Sequence, residues 1–460
     1  MVCDNMQKSV LRYENMQDSG VEWIGMVPKG WFQTKLKRII TSRDGGSWGS
    51  DPKGNTDDKI CLRVADFDFS IGRFKEQSTE KFTVRNYTRT IIDRLCLEKG
   101  DILIEKSGGG ALTPVGRCVI FDKNISALYA NFLERIRVDK DKIVPEFAEY
   151  WLRAMYYRGA TIAYIKQTTG IQNLDITGLL SSEYIVFPDV TSQRAIISFL
   201  NKAEVSLNQF IKDAKTSIDE YKVWKSSIIY EAVTKGLDPN VEMKDSGIEW
   251  IGKIPVAWSA CALKRLTVKI GSGKTPLGGA ETYISQGVLF LRSQNIYDTG
   301  LRLDNASYIS PEVNESMGNT QVKCGDVLLN ITGGSIGRCC VYDLNGVAAN
   351  VNQHVCIIRT QYEVLRPQYL RYFWNSAAGP MIISHYQTGG NRPGLNFEQI
   401  GSVKIPLCDV AVQDSIVKYL DKKTRKIDEL IQEKEDLITD LESYKKSLIY
   451  EVVTGKRKVV

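Results

Sequence analysis

The segment MQDSGVEWIGMVPKGWFQTKLKR at residues 16–38 returns at 243–265 as MKDSGIEWIGKIPVAWSACALKR. Met16, Asp18, Ser19, Gly20, Glu22, Trp23, Ile24, Gly25, Pro28, Trp31, Leu36, Lys37 and Arg38 all recur 227 positions on. A solenoid repeats every ~20–50 residues, so a period this long means two copies of a domain-sized unit. Such a duplication builds a pseudo-twofold object, suited to a partner with two related sites.

The chain has 460 residues, enough for two or three domains with cores of their own. Its net charge of +6 is mildly basic, compatible with nucleic acid without requiring it. No apolar run is long enough to span a membrane, and MVCDNMQKSVLRYE lacks a signal-peptide core; the expected location is cytoplasmic. The ten cysteines form no C-x-x-C pair, and Cys61, Cys118 and Cys356 sit in apolar runs, the pattern of reduced, buried thiols. His354 and Cys356 suggest a metal pair, but nothing completes a ligand set.

Two long windows lack both glycine and proline: Pro188 to Gly236 and Pro406 to Gly455. In the first, Ile197, Ile211 and Ile218 share one heptad column, and Leu200, Leu207, Ala214, Tyr221 and Ile228 a second. Ile196, Ala203, Phe210 and Trp224 share a third. The second window repeats the scheme, Gln193 matches Gln413, and SIIYEAVT at 227–234 matches SLIYEVVT at 447–454. The stripes predict two long amphipathic or coiled-coil helices. Glu204, Lys225, Thr424, Lys434 and Lys445 interrupt the seams, either fixing register or marking solvated ends.

Each helix follows a region of mixed character. KICLRV, GDILIEK and GRCVIFD in the first, and GVLFLRS, GDVLLNI and GRCCVYD in the second, read as strands. PEFAEYWL (145–152) and PQYLRYFW (367–374) read as helices opened by proline. The fold class is mixed α/β: two similar globules, each followed by one long amphipathic or coiled-coil helix. Joining the C-terminal TGKRKVV to the N-terminal KSVLRYENMQDSG nearly reproduces the internal linker, so the protein is expected to be circularly organised with its ends close together.

GSGKT at 271–275 resembles the end of a phosphate loop, but Val268 stands where that loop needs glycine, and Pro276 opposes a helix start. No H-E-x-x-H or G-x-G-x-x-G motif is present, so the chain reads as non-catalytic. Equipment for a polyanion recurs in both copies instead. EKSGGG (105–110) and NITGGS (330–335) are glycine-rich turns; Gly116-Arg117 and Gly337-Arg338 follow; KQTTGIQN (166–173) and YQTGGNRPGLN (386–396) are later polar loops. Glycine lets backbone approach phosphates, and Arg, Asn, Gln and Thr can pair with base edges.

Together these motifs resemble the specificity subunit of a type I restriction–modification enzyme. The likeness rests on DSGVEWIG and DSGIEWIG ahead of P-x-x-W, SGKTP, GDIL and GDVL before glycine-rich turns, and helices begun by glutamine and closed by YEAVT and YEVVT. It covers nearly the whole chain, although the first copy has RDGGSWG (43–49) where the second has GSGKTP, and TTGIQNL where the second has TGGNRPGL. The resemblance implies that each globule is a target recognition domain reading half of a split sequence in double-stranded DNA, and that the two long coiled-coil helices pack antiparallel and hold the globules apart. It implies two methyltransferase subunits and nuclease–translocase subunits as partners, with adenine as the methylated base. S-adenosylmethionine, ATP and Mg would belong to those partners, and this chain would bind no cofactor.

The expected domains are an N-terminal junction segment (1–30), a first target recognition domain (31–190), a spacer helix (191–235) and a junction repeat (236–257). A second recognition domain (258–410), a second spacer helix (411–454) and a tail (455–460) follow. The stripe from Ile197 to Ile228 spans roughly 47 Å at about 1.5 Å per residue, comparable with the ~34–36 Å between half-sites one DNA turn apart, so the helix pair is expected to act as a ruler. Matching the copies gives Lys106, Ser107, Arg117, Thr169 and Asn173 as DNA-facing candidates in the first domain. In the second they are Arg292, Gln294, Asn295, Thr332, Arg338, Asn391, Arg392 and Asn396. Arg63 aligns with Arg292 and is either a reader or a structural ion-pair partner. A duplicated protein-interaction scaffold without DNA specificity is the alternative reading.

Overall fold

In the computed structural model, which describes residues 11–75, 79–167, 170–387 and 394–459, each window free of glycine and proline is one uninterrupted helix. The first runs Val190–Lys235 and the second Val410–Val453, 46 and 44 residues. Asp189 opens the first by accepting from the N–H groups of Thr191 and Ser192 at 2.9 and 3.0 Å. Gly236 and Gly455, at φ of 80° and 70°, close the two helices in the left-handed conformation that disfavours residues with a Cβ.

The chain divides into two compact units: Met1–Ala214 with Asp436–Val460, and Lys215–Glu435. In each, the start of one long helix packs antiparallel on the end of the other. Leu200 and Leu207 share a core with Leu448 and Val452 in the first unit, and Ile229 and Val233 with Ile416 and Leu420 in the second. The first two heptad columns are largely covered. The third is not: Phe210 and Trp224 are about half exposed. Where no globule lies alongside, only the partner helix can cover apolar surface, and the stripe narrows to a coiled-coil seam.

Four of the five seam-breaking residues are tied down, which favours the register role. Glu204 pairs with Arg153 at 2.6 Å, and Thr424 lies 3.4 Å from the Tyr372 hydroxyl. Lys445 donates to Asn208 Oδ1 at 2.8 Å, and Lys225 to Asp428 at 2.7 Å. Gln193 and Gln413, both wholly buried, do the same task in their units. Gln193 accepts from Val144 N–H and donates to the carbonyls of Lys142 and Pro188. Gln413 accepts from Arg366 N–H and donates to those of Val364 and Cys408. One side chain thus stitches each helix start to its globule.

All six expected strands form. Ile102–Glu105 and Cys118–Ile120 pair antiparallel in a four-stranded sheet with Leu133–Val138 and Ile40–Gly45. Val327–Asn330, Cys339–Val341, Val355–Thr360 and Thr267–Ser272 repeat that sheet. The remaining two strands join other sheets through parallel pairs: Asp58–Leu62 with Ala127–Tyr129, and Val288–Leu291 with Ala349–Val351. Helix Pro145–Tyr157 lies against the first sheet with Phe147, Tyr150, Trp151 and Met155 fully buried. The matching helix is shorter, Pro367–Trp374, and a second, Ala378–Tyr386, follows it closely because Gly379 admits the Trp374 carbonyl where a Cβ would collide.

The repeated DSG-x-x-W-I-G segment is a folded junction. Asp18 and Asp245 each accept from the glycine N–H two residues on at 2.9 Å, and Gly20 and Gly247 take φ of 69° and 67°. Trp23 donates to Glu183 and Trp250 to the Lys404 carbonyl, fixing each junction to its globule. Tyr450 and Tyr230, near the ends of the long helices, donate to the junction carbonyls of Trp23 and Ile251 at 3.0 Å each. Lys458 N–H bonds the Leu11 carbonyl at 2.7 Å, so the first and last parts of the described chain meet within the first unit.

Candidate nucleic-acid interface

In each unit a buried central strand runs into the glycine-rich turn and delivers one hydroxyl to the edge of the globule. Ser107 follows Ile102–Glu105, and Thr332 follows Val327–Asn330. The later polar loop docks on the turn through the same backbone bond: Leu174 N–H to Lys106 O at 2.8 Å, and Leu395 N–H to Ile331 O at 2.9 Å. Ser107 therefore lies opposite Asn173, and Thr332 opposite Gly394.

Three candidates of the first unit come together. Ser107 Oγ donates to Asn173 Oδ1 at 2.7 Å, Asn173 is exposed, and half-buried Lys106 runs beside Gly45. In the second unit Thr332 Oγ1 lies 2.6 Å from His354 Nδ1, and His354 Nε2 lies 3.3 Å from Gln353 Nε2. Gln353 Oε1 accepts from Thr275. This polar relay includes three residues the sequence reading passed over as readers; His354 stood out only as a metal candidate. The available signal was the short link between two apolar strands, N-Q-H ahead of VCIIR.

Three of the candidates are engaged within the fold instead. Arg117 is committed to Glu105, which is 2% exposed, through bonds of 2.8 and 3.1 Å, and its guanidinium lies 3.9 Å from the Phe69 ring centre. It is a structural ion-pair partner. Asn295 is 2% exposed and spends its amide on Arg292 N–H and the Arg302 carbonyl. Asn396 caps helix Phe397–Ser402, accepting from Gln399 N–H at 2.8 Å. Its counterpart is Asp175, which caps Ile176–Ser182 by accepting from Gly178 N–H, so the position matching Asn173 is Gly394. Arg63 lies 3.6 Å from Asp66, the structural alternative.

Other candidates stay accessible. Gln294 is exposed. Arg292 is half-buried, its guanidinium 5.5 Å from the Tyr283 ring centre. Arg338 and Arg302 both lie over Tyr297, at 4.6 and 3.9 Å. Where the first unit has Glu105 the second has Asn330, and Arg338 forms no ion pair within 4.0 Å among the described residues. The edge of the second unit is therefore the less neutralised. Thr169, Asn391 and Arg392 lie outside the described residues.

The phosphate-loop lookalike has a structural explanation. Thr267–Ser272 is a strand, and Gly273 packs on the Val351 carbonyl where a Cβ would collide. Gly46 does the same against Ala130 in the first unit. Among the described residues no cluster of His, Cys, Asp and Glu is arranged to hold a metal ion, and no helix is long and apolar enough to cross a membrane. None of the nine described cysteines is in a disulfide.

Residues 268–440 match the family described as type I restriction modification DNA specificity domain. A putative type I restriction enzyme MjaX specificity subunit from Methanocaldococcus jannaschii is 24% identical over 443 residues, 95% of this chain and 96% of that protein. The type I restriction enzyme MjaVIII specificity subunit of the same organism is 23% identical over 369 residues, covering 79% and 81%. A chain from a structure reported for complex assembly and conformational transition of the type I R-M system shares the fold, with a TM-score of 0.68 at 14% identity over 93% of this chain and 98% of that one.

Proposed function

We propose, because this chain belongs to the specificity-subunit family of type I restriction–modification enzymes, that it is the non-catalytic subunit which reads a split sequence in double-stranded DNA. Each globule reads one half. Two methyltransferase subunits and the nuclease–translocase subunits assemble on the chain in the cytoplasm, and they hold the S-adenosylmethionine, ATP and Mg. The long helices set the gap between the half-sites.

The observation that carries this reading is the glycine-framed polar edge built on the same strands in both units, with different side chains in each. Ser107 and Asn173 stand where the second unit has Thr332 and Gly394. Equivalent scaffolds with divergent edges are what two different half-sites require. Mapping methylated adenines in host DNA with and without the gene tests it. A bipartite motif that disappears with the gene is expected; methylation unchanged by its removal would refute the role and leave the scaffold reading.

A further inference from the structure

The same short link joins two buried strands in each unit. It connects Ala127–Tyr129 to Leu133–Val138 in one, and Ala349–Val351 to Val355–Thr360 in the other. At its exposed tip stand Asn131 and Gln353, one side-chain amide per unit. We infer that Asn131 and Gln353 are base-reading residues, each pairing its amide with one adenine of its half-site. This deepens the proposed function and rests on that reading.

Three observations support it. The link adjoins the candidate edge directly: Lys106 N–H bonds the Phe132 carbonyl at 2.9 Å, and Ile331 N–H bonds the His354 carbonyl at 3.0 Å. The link is also held rigidly, since the strands on both sides are buried and Gly46 and Gly273 press against its carbonyls with no room for a Cβ. A reader must be fixed in position before its hydrogen bonds discriminate.

The third observation is the chemistry of the tip. The Asn131 amide makes no hydrogen bond to another described residue, so its donor and acceptor are both available. Gln353 is oriented by Thr275 and His354 while staying exposed. An Asn or Gln amide matches the N6 donor and N7 acceptor of adenine in the major groove, and no other base offers that pair there. Beside Asn131 stands Phe132, 48% exposed, and beside Gln353 stands His354. The two tips thus share a reading group and differ in its neighbour.

The test is methylation-motif mapping with the full chain in its assembled enzyme, comparing wild type with Asn131→Ala, Gln353→Ala and Gln353→Glu. Each alanine variant is expected to relax one adenine-bearing position, in a different half-site, by about tenfold or more. Gln353→Glu is expected to move the preference there toward cytosine, whose N4 amine a carboxylate accepts. A motif unchanged in all three variants, or a uniform loss of methylation with no position relaxed, would overturn the assignment while leaving the function standing. A wild-type enzyme with no motif would bring down both. Both sites are exposed, and matching thermal denaturation of the variants would separate misfolding from lost reading.

Discussion

Arg117 closes on Glu105 through two hydrogen bonds, while Arg338, at the same place in the other unit, lies over Tyr297 and makes no ion pair within 4.0 Å among the described residues. Substituting the two should therefore read out differently. Arg117→Ala leaves a buried carboxylate unpaired and should destabilise the protein by about 3 kcal/mol, seen by chemical denaturation. Arg338→Ala should change stability by less than about 0.5 kcal/mol. It should instead weaken DNA binding and, if the contact is to phosphate, lower the salt dependence by about one charge.

Gln413, in the buried start of the second long helix, holds three backbone groups that lie outside that helix. Gln413→Ala orphans them and should cost on the order of 2–4 kcal/mol, as should Gln193→Ala in the first unit. Gln413→Glu should be at least as damaging despite its size, because a carboxylate then faces the carbonyls of Val364 and Cys408. Thermal melts of the three variants check this.

Glu149 is wholly buried, 3.6 Å from Arg73 and 3.6 Å from Arg153, and burial pushes its carboxyl up to about 7 against the pull of those arginines. Between the ordinary carboxylate range and about pH 7 the folded protein keeps a proton that the unfolded chain has released. The stabilisation is full below that range and is lost as pH rises through about 7. Glu149→Gln should flatten this part of the stability–pH curve. Denaturation series at intervals from pH 4.5 to 8 would measure the difference in slope.

Lys458 N–H meets the Leu11 carbonyl in the first unit, and the exposed stretch Leu237–Asn240 links the repeats. A circular permutant that joins the ends and opens this linker should fold, since Leu11 and Lys458 already lie side by side. Its melting temperature should lie within a few degrees of the parent's, by differential scanning calorimetry. An unfolded permutant would show that the ends are not a substitute for the linker.

The scaffold was legible because it is written in period and repetition. Six strands, two long helices and two proline-opened helices followed from apolar runs and breakers. The parallel pairs were not legible, since KICLRV says it is a strand without saying which neighbour it takes. Polar loop residues were read least well. Asn295 and Asn396 looked like readers because Asn suits a base edge, but Asn suits a turn or a helix cap equally, and only the backbone's position decides. Glu105 gave no sign that it would silence Arg117.

Gly46 and Gly273 occupy places where any side chain would strike a carbonyl of the neighbouring link. Inheritance therefore acts unevenly along this edge. Mutations at the glycines break the globule and are lost, while those at the flanking tips leave the fold intact and can change only what is recognised. If each unit reads half of a split target, as proposed, such a chain would acquire new targets by small steps, each confined to one unit, with the other unit's half of the address kept as it was.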